Sequence, residues 1–381
     1  MTTRYVGVGG NDGNDGLSWA NRKLTLNGVE NTPVEAGDTV YVGPGIYREL
    51  LTVDVSGASG SPITYIGDYT GANTDGTGGV VRITGSDNDQ GSARDYCIKG
   101  DTTAGYNYRT FSGFLLDGSA KQLVYAYQDL QNWIFEDCYF GSVNGNFAAL
   151  YFRAGSVSNI CNNHLVRRCI FNIGANGNSA VGIVFNHTGE INSSGNVVEN
   201  CIFLSGYQGV QCSYIGDVIV RNCFISGQYN AGIRTASINS SNKMVVNNCI
   251  IANNGTGLSS AAANQVTENY NNIVHNGTAR TNVDIGANSN AYMAINDSRW
   301  FFEMVNGGTL LTPFDLANYS ELIDVAGTSP TTADMRGTTV QGTQREWGAL
   351  EYDSSLDIEA GSGGGGATIR NVVIPMFIRR R

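Results

Sequence analysis

The sequence predicts an all-β chain wound into a single-stranded, right-handed parallel β-helix, with a cap at its N-terminal end and an extended C-terminal tail. Three observations predict this fold. A six-residue motif with a cysteine recurs every 22 to 32 residues, short alternating apolar runs surround it, and turn-forming Asn and Gly separate the runs. So short a repeat leaves no room for a crossover helix, which excludes a doubly wound α/β sheet.

The cysteine motif has five copies, at residues 135–140, 166–171, 198–203, 220–225 and 246–251. A cysteine-free version precedes them at 111–116, and a later version lies around 269–274, where the sequence leaves the register open. A second submotif, glycine followed by an aliphatic residue, occurs at 182–183, 209–210, 232–233 and 257–258. We expect each unit to form one coil, and the coils to stack at the strand spacing of about 4.8 Å.

The recurring corners predict two rows of side chains along the rod. An inward ladder of packed thiols is expected, because buried free cysteine behaves as a small hydrophobe and the close spacing of a metal site is absent. Its members are Cys138, Cys169, Cys201, Cys223 and Cys249. The position two residues before each cysteine should face outward, and its alternating charges should pair between coils. That outward row reads Glu136, Arg167, Glu199, Arg221 and Asn247.

Composition sets limits on partners and location. Charged residues make up only 15% of the chain while glycine reaches 50, which favours a turn-rich β protein. A net charge of −10 provides no global electrostatic footprint for nucleic acid. The first ten residues have no apolar signal region, and no stretch approaches the length of a membrane span. We therefore expect assembly in the cytosol and no membrane span.

Several segments resemble the pectate-lyase-like β-helix proteins. Residues 5–20, 36–49 and 62–68 look like the start of that family, and residues 322–337 and 345–352 look like its closing segment. The resemblance implies a β-helix over about residues 5–352, with a capping helix or turn near 18–30. The domain layout that follows is a cap (1–35), coils (36–300), a closing segment (301–355), a glycine-rich linker (356–366) and a docking tail (367–381). This architecture serves lyases, hydrolases, adhesins and viral spikes, so the resemblance implies little about function.

The catalytic patterns of the resembling enzymes are missing. Polygalacturonase-type hydrolases carry clustered aspartates with Gly-His-Gly and Arg-Ile-Lys motifs, and pectate-lyase-type enzymes carry a calcium-holding acidic groove with a basic residue. The residues that come closest to such a groove are Asp217, Arg221 and Arg234, but this set lacks a second carboxylate. Glu136 and Asp137 are expected to diverge on their strand. The sequence thus predicts no catalytic residue, no metal and no cofactor, and it leans away from an enzyme.

Other candidate sites have simpler interpretations. Residues 11–16 imitate a calcium loop but fail the EF-hand spacing, which favours a turn. The three histidines lie on different coils and are expected in loops or at the surface. Five tyrosines either offer stacking surfaces to sugar rings or simply occupy half-buried sheet positions, and the sequence leaves both options open. They are Tyr125, Tyr127, Tyr139, Tyr151 and Tyr207.

The C-terminal tail follows a flexible linker and combines an apolar run with three final arginines. We expect it to dock onto another subunit, either as an added strand or through its charges. Its docking residues are Ile369, Val372, Val373, Ile374, Met376, Phe377, Ile378, Arg379, Arg380 and Arg381.

These features favour a non-enzymatic structural protein of a bacteriophage virion, either a capsid decoration (cement) protein or a spike. Its tail would hold it to capsid or tail proteins, its rod could meet cell-surface polysaccharide, and a homotrimer is an option shared with viral β-helix spikes. The alternatives are a tailspike-like polysaccharide lyase or glycoside hydrolase, and a surface adhesin.

Overall fold

The computed structural model describes residues 1–32, 34–86, 89–100, 105–128, 130–143, 147–155, 160–174, 179–191, 193–236, 243–286, 289, 302–304 and 314–316. The fold is a parallel β-helix with one short helix, so the predicted fold class is confirmed. Parallel strands joined by short crossovers wind in the right-handed sense.

The strands are short, as the alternating apolar runs predict. The first fourteen are β1 (Thr3–Val6), β2 (Thr39–Val42), β3 (Gly45–Tyr47), β4 (Leu51–Val53), β5 (Ile63–Gly67), β6 (Val81–Thr84), β7 (Ile98–Gly100), β8 (Arg109–Ser112), β9 (Leu115–Asp117), β10 (Val124–Tyr127), β11 (Trp133–Glu136), β12 (Tyr139–Phe140), β13 (Ala148–Ala154) and β14 (Leu165–Arg167). The remaining parallel strands are β15 (Ile170–Asn172), β16 (Val181–Ile191), β17 (Asn196–Glu199), β18 (Ile202–Ile215), β19 (Val218–Arg221), β20 (Phe224–Ser226), β21 (Gln228–Ala236), β22 (Met244–Asn247), β23 (Ile250–Ala252), β24 (Thr256–Ser260), β25 (Val266–Asn269), β26 (Asn272–Val274) and β27 (Thr278–Thr281). An antiparallel pair follows, β28 (Phe302–Met304) and β29 (Phe314–Leu316).

Three parallel sheets run along the rod, and each coil after the first contributes a strand to all three. Sheet A contains ten strands in the order β1-β2-β5-β8-β11-β14-β17-β19-β22-β25, and we number the coils by these strands. Sheet B contains β3, β6, β9, β12, β15, the first part of β18, β20, β23 and β26. Sheet C contains β4, β7, β10, β13, β16, the second part of β18, β21, β24 and β27.

The corner between sheets A and B is a single residue in the left-handed backbone region. Its φ angle is +55° at Asp137, +53° at Asn200 and +54° at Asn248. Asparagine tolerates this region better than other non-glycine residues, which explains its recurrence before the cysteines. The register of the later motif, around residues 269–274, was left open by the sequence. In the structure Asn269 pairs with Asn247, and Tyr270 is the left-handed corner residue.

The core consists of aromatic and aliphatic ladders that continue from coil to coil. Phe140, Phe171 and Phe203 stack in sheet B with ring centroids 4.6 Å apart at each step. Sheets A and C face each other across the core, where the rings of Phe135 and Phe152 lie 6.3 Å apart. Each side chain therefore packs on its counterparts in the neighbouring coils, as expected for a solenoid.

The N-terminal end is covered by α1 (Leu26–Glu30), whose Leu26 and Val29 are buried. Thr25 caps the helix by accepting a hydrogen bond from the backbone N–H of Gly28. The Glu49 carboxylate accepts hydrogen bonds from the N–H groups of Leu26 and Asn27 at 2.9 and 3.2 Å. Glu30, at the end of the helix, forms a buried ion pair with Arg109. The cap is thus joined to the coils by both apolar and charged contacts.

Candidate functional site

The three sheets differ in what their outer faces present. From the sixth to the ninth coil, the outer row of sheet B is apolar and buried, with exposed fractions of 2% or less at Ile170 and Ile250 and 5–6% at Ile202 and Phe224. The outer rows of sheets A and C are partly exposed. In the described coils, a ligand-binding surface is therefore expected on the outer faces of sheets A and C.

The five motif cysteines lie one after another at the corner between sheets A and B. All five are completely buried. Each thiol donates to the backbone carbonyl two residues earlier, for example Cys138 to Glu136 and Cys201 to Glu199, both at 3.2 Å. Burial raises the thiol pKa of Cys138, Cys169 and Cys201 well above its ordinary value. The ladder is thus a packing feature, in which burial keeps the thiols of Cys138, Cys169 and Cys201 protonated.

The outward row on sheet A forms two ion pairs between coils. Arg167 contacts Glu136 at 2.6 Å, and Arg221 contacts Glu199 at the same distance. The register places these four residues in one line across the fifth to eighth coils. The charges largely satisfy one another within the rod.

One expectation for this row was wrong. Glu136 and Asp137 were expected to diverge, yet the Arg168 guanidinium lies 3.1 Å from the Glu136 carboxylate and 2.7 Å from that of Asp137. Strand alternation fails here because Asp137 is the left-handed corner residue, which turns its side chain out of the strand pattern. Two carboxylates and two arginines consequently form one connected cluster.

The three weak catalytic candidates lie on different surfaces. Asp217 is an exposed left-handed residue in the turn before β19, about 13 Å of strand away from Arg221. Arg221 lies in the outer row of sheet A, whereas Arg234 pairs with Gln211 and Ser259 in the outer row of sheet C. The fold does not bring these residues together.

The segment 11–16 forms a turn that supports the cap. The Asp12 carboxylate accepts hydrogen bonds from the N–H groups of Leu24 and Thr25 at 2.9 Å, and Lys23 donates to the Asp12 carbonyl. Across the described ranges, no group of three or more His, Cys, Asp or Glu residues could hold a metal ion. Within the same ranges, no helix is long and apolar enough to cross a bilayer.

A cluster of tyrosines on the outer face of sheet C forms the most distinctive polar surface of the rod. The Tyr125 ring stacks on Tyr96 at 4.9 Å, on Tyr127 at 5.4 Å and on Tyr151 at 5.7 Å. The interplanar angles lie between 4° and 14°. All four rings are partly exposed.

Cations flank these rings. Lys99 is the register partner of Tyr125, and the Arg153 guanidinium lies 5.3 Å from the centre of the Tyr127 ring. Neither cation forms an ion pair within the described residues, whereas Lys121, beside Tyr96, pairs with Asp95 at 2.7 Å. We call Tyr96, Tyr125, Tyr127, Tyr151, Lys99 and Arg153 the tyrosine face.

The stacking decides what the tyrosine face can do chemically. The faces of the Tyr125 ring are covered by neighbouring tyrosines, so a sugar ring cannot stack on them. The ring edges and phenol hydroxyls remain, and the Asn186 amide already donates to the Tyr151 hydroxyl at 2.9 Å. Burial raises the pKa of Tyr96 and Tyr125, so both phenols keep their protons and can donate hydrogen bonds. Protonated hydroxyls beside two cations that have no ion-pair partner in the described part of the chain suit an anionic or polyhydroxylated ligand.

The expectation that the histidines lie in loops or at the surface was wrong for His187, which is buried in β16, whereas His164 lies in the loop before β14. His164 and His187 are buried, and only His275 is exposed. The His164 ring stacks on Phe152 at 4.2 Å and accepts a hydrogen bond from the Trp133 N–H. Burial lowers the pKa of His164 to about 3. It is a neutral core residue rather than a site residue.

Sequence reasoning missed Tyr96, Lys99 and Arg153. The available signal was spacing, because Tyr125 and Tyr151 occupy equivalent positions in successive coils. Tyr96 precedes its strand β7, and the long loops before it hide the correspondence. The predicted docking residues 369–381 lie outside the described residues.

No protein-family model and no curated protein sequence matches this chain. Among solved structures, the chain is similar to a pectate lyase with 16% identity and a TM-score of 0.54, over 93% of this chain and 97% of that one. It is also similar to a lacto-N-biosidase from Eubacterium ramulus with 14% identity and a TM-score of 0.55, over 71% of this chain and 56% of that one. A rhamnogalacturonan lyase aligns with 18% identity and a TM-score of 0.49, over 72% of this chain and 76% of that one. The likeness to the first two establishes that this chain has a pectate-lyase-like parallel β-helix fold.

Proposed function

We propose that this protein is a non-enzymatic binding protein, a rigid rod that holds an acidic polysaccharide along its tyrosine face. The supporting observation is the row of stacked, protonated tyrosines beside Lys99 and Arg153, two cations without an ion-pair partner in the described residues. A rigid scaffold favours such binding because little conformational entropy is lost when the ligand docks.

Spacing and charge both point to a carboxylate-bearing chain of sugars. Tyr96, Tyr125 and Tyr151 repeat along the rod at 4.9 and 5.7 Å, which is comparable with the length of one sugar residue. A sugar carboxylate can accept hydrogen bonds from a phenol and from the Arg153 guanidinium, and charge-assisted hydrogen bonds are the stronger kind. The protein as a whole carries a charge of −10, so attraction to an acidic polymer requires a local positive surface such as this one.

The test is affinity electrophoresis in gels that contain polygalacturonate or neutral dextran. Polygalacturonate should retard the wild-type protein more than dextran does. Replacing Tyr125 and Tyr151 together by phenylalanine removes only two hydroxyls, and it should weaken binding by about tenfold or more because each hydrogen bond to a charged group contributes about 1.5–3 kcal/mol. Arg153→Gln should weaken binding and reduce its dependence on salt.

Tyr41→Phe is the matched control, since Tyr41 stacks on Tyr5 on the outer face of sheet A. Its binding should equal that of wild type. Equal retardation by both polymers, or equal loss in the control and the double variant, contradicts the proposal. Progressive shortening of the polymer, followed by viscosity and by new chain ends, would instead support the alternative of a polysaccharide-degrading enzyme.

A second candidate function concerns attachment to a virus particle. We propose that the protein is a bacteriophage decoration protein or spike whose residues 367–381 dock onto other virion proteins. The supporting observation is in the sequence, where a glycine-rich linker precedes seven apolar or proline residues and three arginines. Deleting residues 361–381 should abolish incorporation into particles while leaving the circular dichroism spectrum of the rod unchanged. Wild-type incorporation of the truncated protein would argue against attachment through the tail.

A further inference from the structure

The outer face of sheet A carries an aliphatic row beside its charged row. The aliphatic row consists of Ile134, Leu165, Val197, Ile219 and Val245, which are register partners in five successive coils. All five side chains are partly exposed. A continuous apolar line on a flat sheet face is typical of a surface that meets another protein.

The charged row runs parallel to the aliphatic row, two residues further along each strand. From the fifth to the eighth coil it reads Glu136, Arg167, Glu199 and Arg221. Arg167 and Arg221 bind their neighbouring glutamates through Nε and Nη2, and within the described residues their Nη1 groups have no acceptor. Their side chains are 36% and 21% exposed, so both can donate to a further partner.

We propose that two copies of this chain associate face to face through the outer surface of sheet A, with their rods antiparallel. The order Glu-Arg-Glu-Arg is complementary to its own reverse. A two-fold axis that runs along the strands, midway between the sixth and seventh coils, places Arg167 opposite Glu199 of the second copy and Arg221 opposite Glu136 of the second copy. This contact is isologous, since each copy contributes the same surface.

The same axis aligns the apolar residues. Leu165 faces Val197 of the second copy, and Ile134 faces Ile219 of the second copy, so the aliphatic rows pack on each other. A parallel arrangement, with the axis along the rod, reverses the strand direction and cannot pair both rows. It places each aliphatic row on a charged row when the axis lies between the rows, and it leaves the charged rows without a partner when the axis lies on the aliphatic row. Burying charges against apolar side chains is unfavourable, which selects the antiparallel arrangement.

The dimer would affect polysaccharide binding, although the dimer proposal does not depend on that proposed function. The rings of Phe135 in sheet A and Phe152 in sheet C meet in the core, so the outer faces of these two sheets are separate surfaces of the rod. A dimer through sheet A therefore leaves both tyrosine faces outside the interface. Such a bivalent particle can bridge two polymer chains, and its avidity exceeds the affinity of one face.

Cysteine cross-linking tests the register directly. The double variant Ile134→Cys with Ile219→Cys should form a covalent dimer under mild oxidation. Within one rod these positions lie three coils apart, about 14 Å, which is too far for a disulfide. The eight native cysteines are buried and should not interfere. Each single variant is a control and should give little covalent dimer, because its new thiol faces an isoleucine.

Light scattering on the full chain should give twice the monomer mass, and Leu165→Lys, beside the proposed two-fold axis, should return it to the monomer. Gln211→Lys, on the outer face of sheet C, should remain dimeric. A monomeric or trimeric wild-type mass overturns the proposal, as does equal cross-linking by a single variant. Leu165→Lys should still be retarded by polygalacturonate, though less than the dimer because avidity is lost, and this result separates the interface from the tyrosine face.

Discussion

Arg109 forms an ion pair with Glu30 in which both side chains are completely buried, and this pair joins the cap helix to the fourth coil. The Tyr65 hydroxyl donates to the same carboxylate at 2.5 Å, and the Arg109 Nε donates to the Val55 carbonyl at 2.8 Å. At the other end of the coils, Glu268 is buried and pairs with Arg280 at 2.7 Å. A buried ion pair thus lies towards each end of the apolar core.

Arg109→Met should destabilise the cap by about 3–5 kcal/mol, because it leaves the Glu30 carboxylate buried without its partner. Amide hydrogen exchange of residues 24–32 is the appropriate measurement, since the ends of a solenoid can open independently of its middle. Arg94→Met is the control, because Arg94 pairs with the more exposed Asp89 and should have little effect. Unchanged protection of the cap in Arg109→Met would contradict this assignment.

Asn248→Ala should lower the free energy of unfolding by about 1–2 kcal/mol, because alanine tolerates the left-handed backbone poorly. Asn248→Gly should cost less, since glycine adopts this conformation freely. Asn247, the preceding residue, lies in a regular strand, so Asn247→Ala should have a small effect. Urea titrations of the three variants provide the comparison. If glycine proves as costly as alanine, side-chain contacts rather than backbone conformation determine the corner.

Acidification should destabilise the rod partly through His164. Its pKa is about 3 in the folded chain and about 6.5 when unfolded, so the unfolded state binds more protons between these values. Stability is therefore lost as the pH falls from about 6.5 towards 3. His164→Phe keeps the aromatic packing on Phe152 but cannot titrate, so its unfolding free energy should fall less over this range. The wild-type slope in His164→Phe would refute the prediction.

The eight cysteines should not react in the native protein. All are buried, and burial raises the pKa of Cys97 to about 12, so little thiolate forms at neutral pH. Iodoacetamide at pH 8 followed by mass spectrometry should show no adducts in native protein and eight after denaturation. The single variant Tyr229→Cys, at a position that is 70% exposed, should add one label to the native protein. Labelling of several native thiols would show that the ladder opens to solvent.

The fold could be predicted because the residues that determine each turn lie close together in the sequence. The cysteine motif recurs in five coils and has an Asn corner in three of them, so the turn chemistry of Asn200 or Asn222 is visible in a six-residue window. The pairing of Glu136 with Arg167 also followed, since the two residues hold the same position in successive motifs. The link between Arg168 and both Glu136 and Asp137 did not follow, because it requires the φ angle of one corner residue.

The tyrosine face was only partly predictable. Tyr125 and Tyr151 stood out as aromatic residues, but their stacking depends on loops that differ in length between coils. Ring stacking changes what these tyrosines can bind, because it covers the ring faces and leaves the hydroxyls accessible to a ligand. Tyr96 and Lys99 joined them only through the register of β7 with β10.

By itself, the sequence determined that the backbone winds into coils, since alternation and turn residues act over a few neighbouring positions. Tertiary structure alone decided which outer surface is available. In sheet B both Ile170 and Phe171 are apolar and both are buried, so no local pattern distinguishes the inner row from the outer one. The physical reason is that burial on an outer face depends on what packs there from elsewhere in the chain. Such contacts produce no periodic pattern of apolar residues in the sequence.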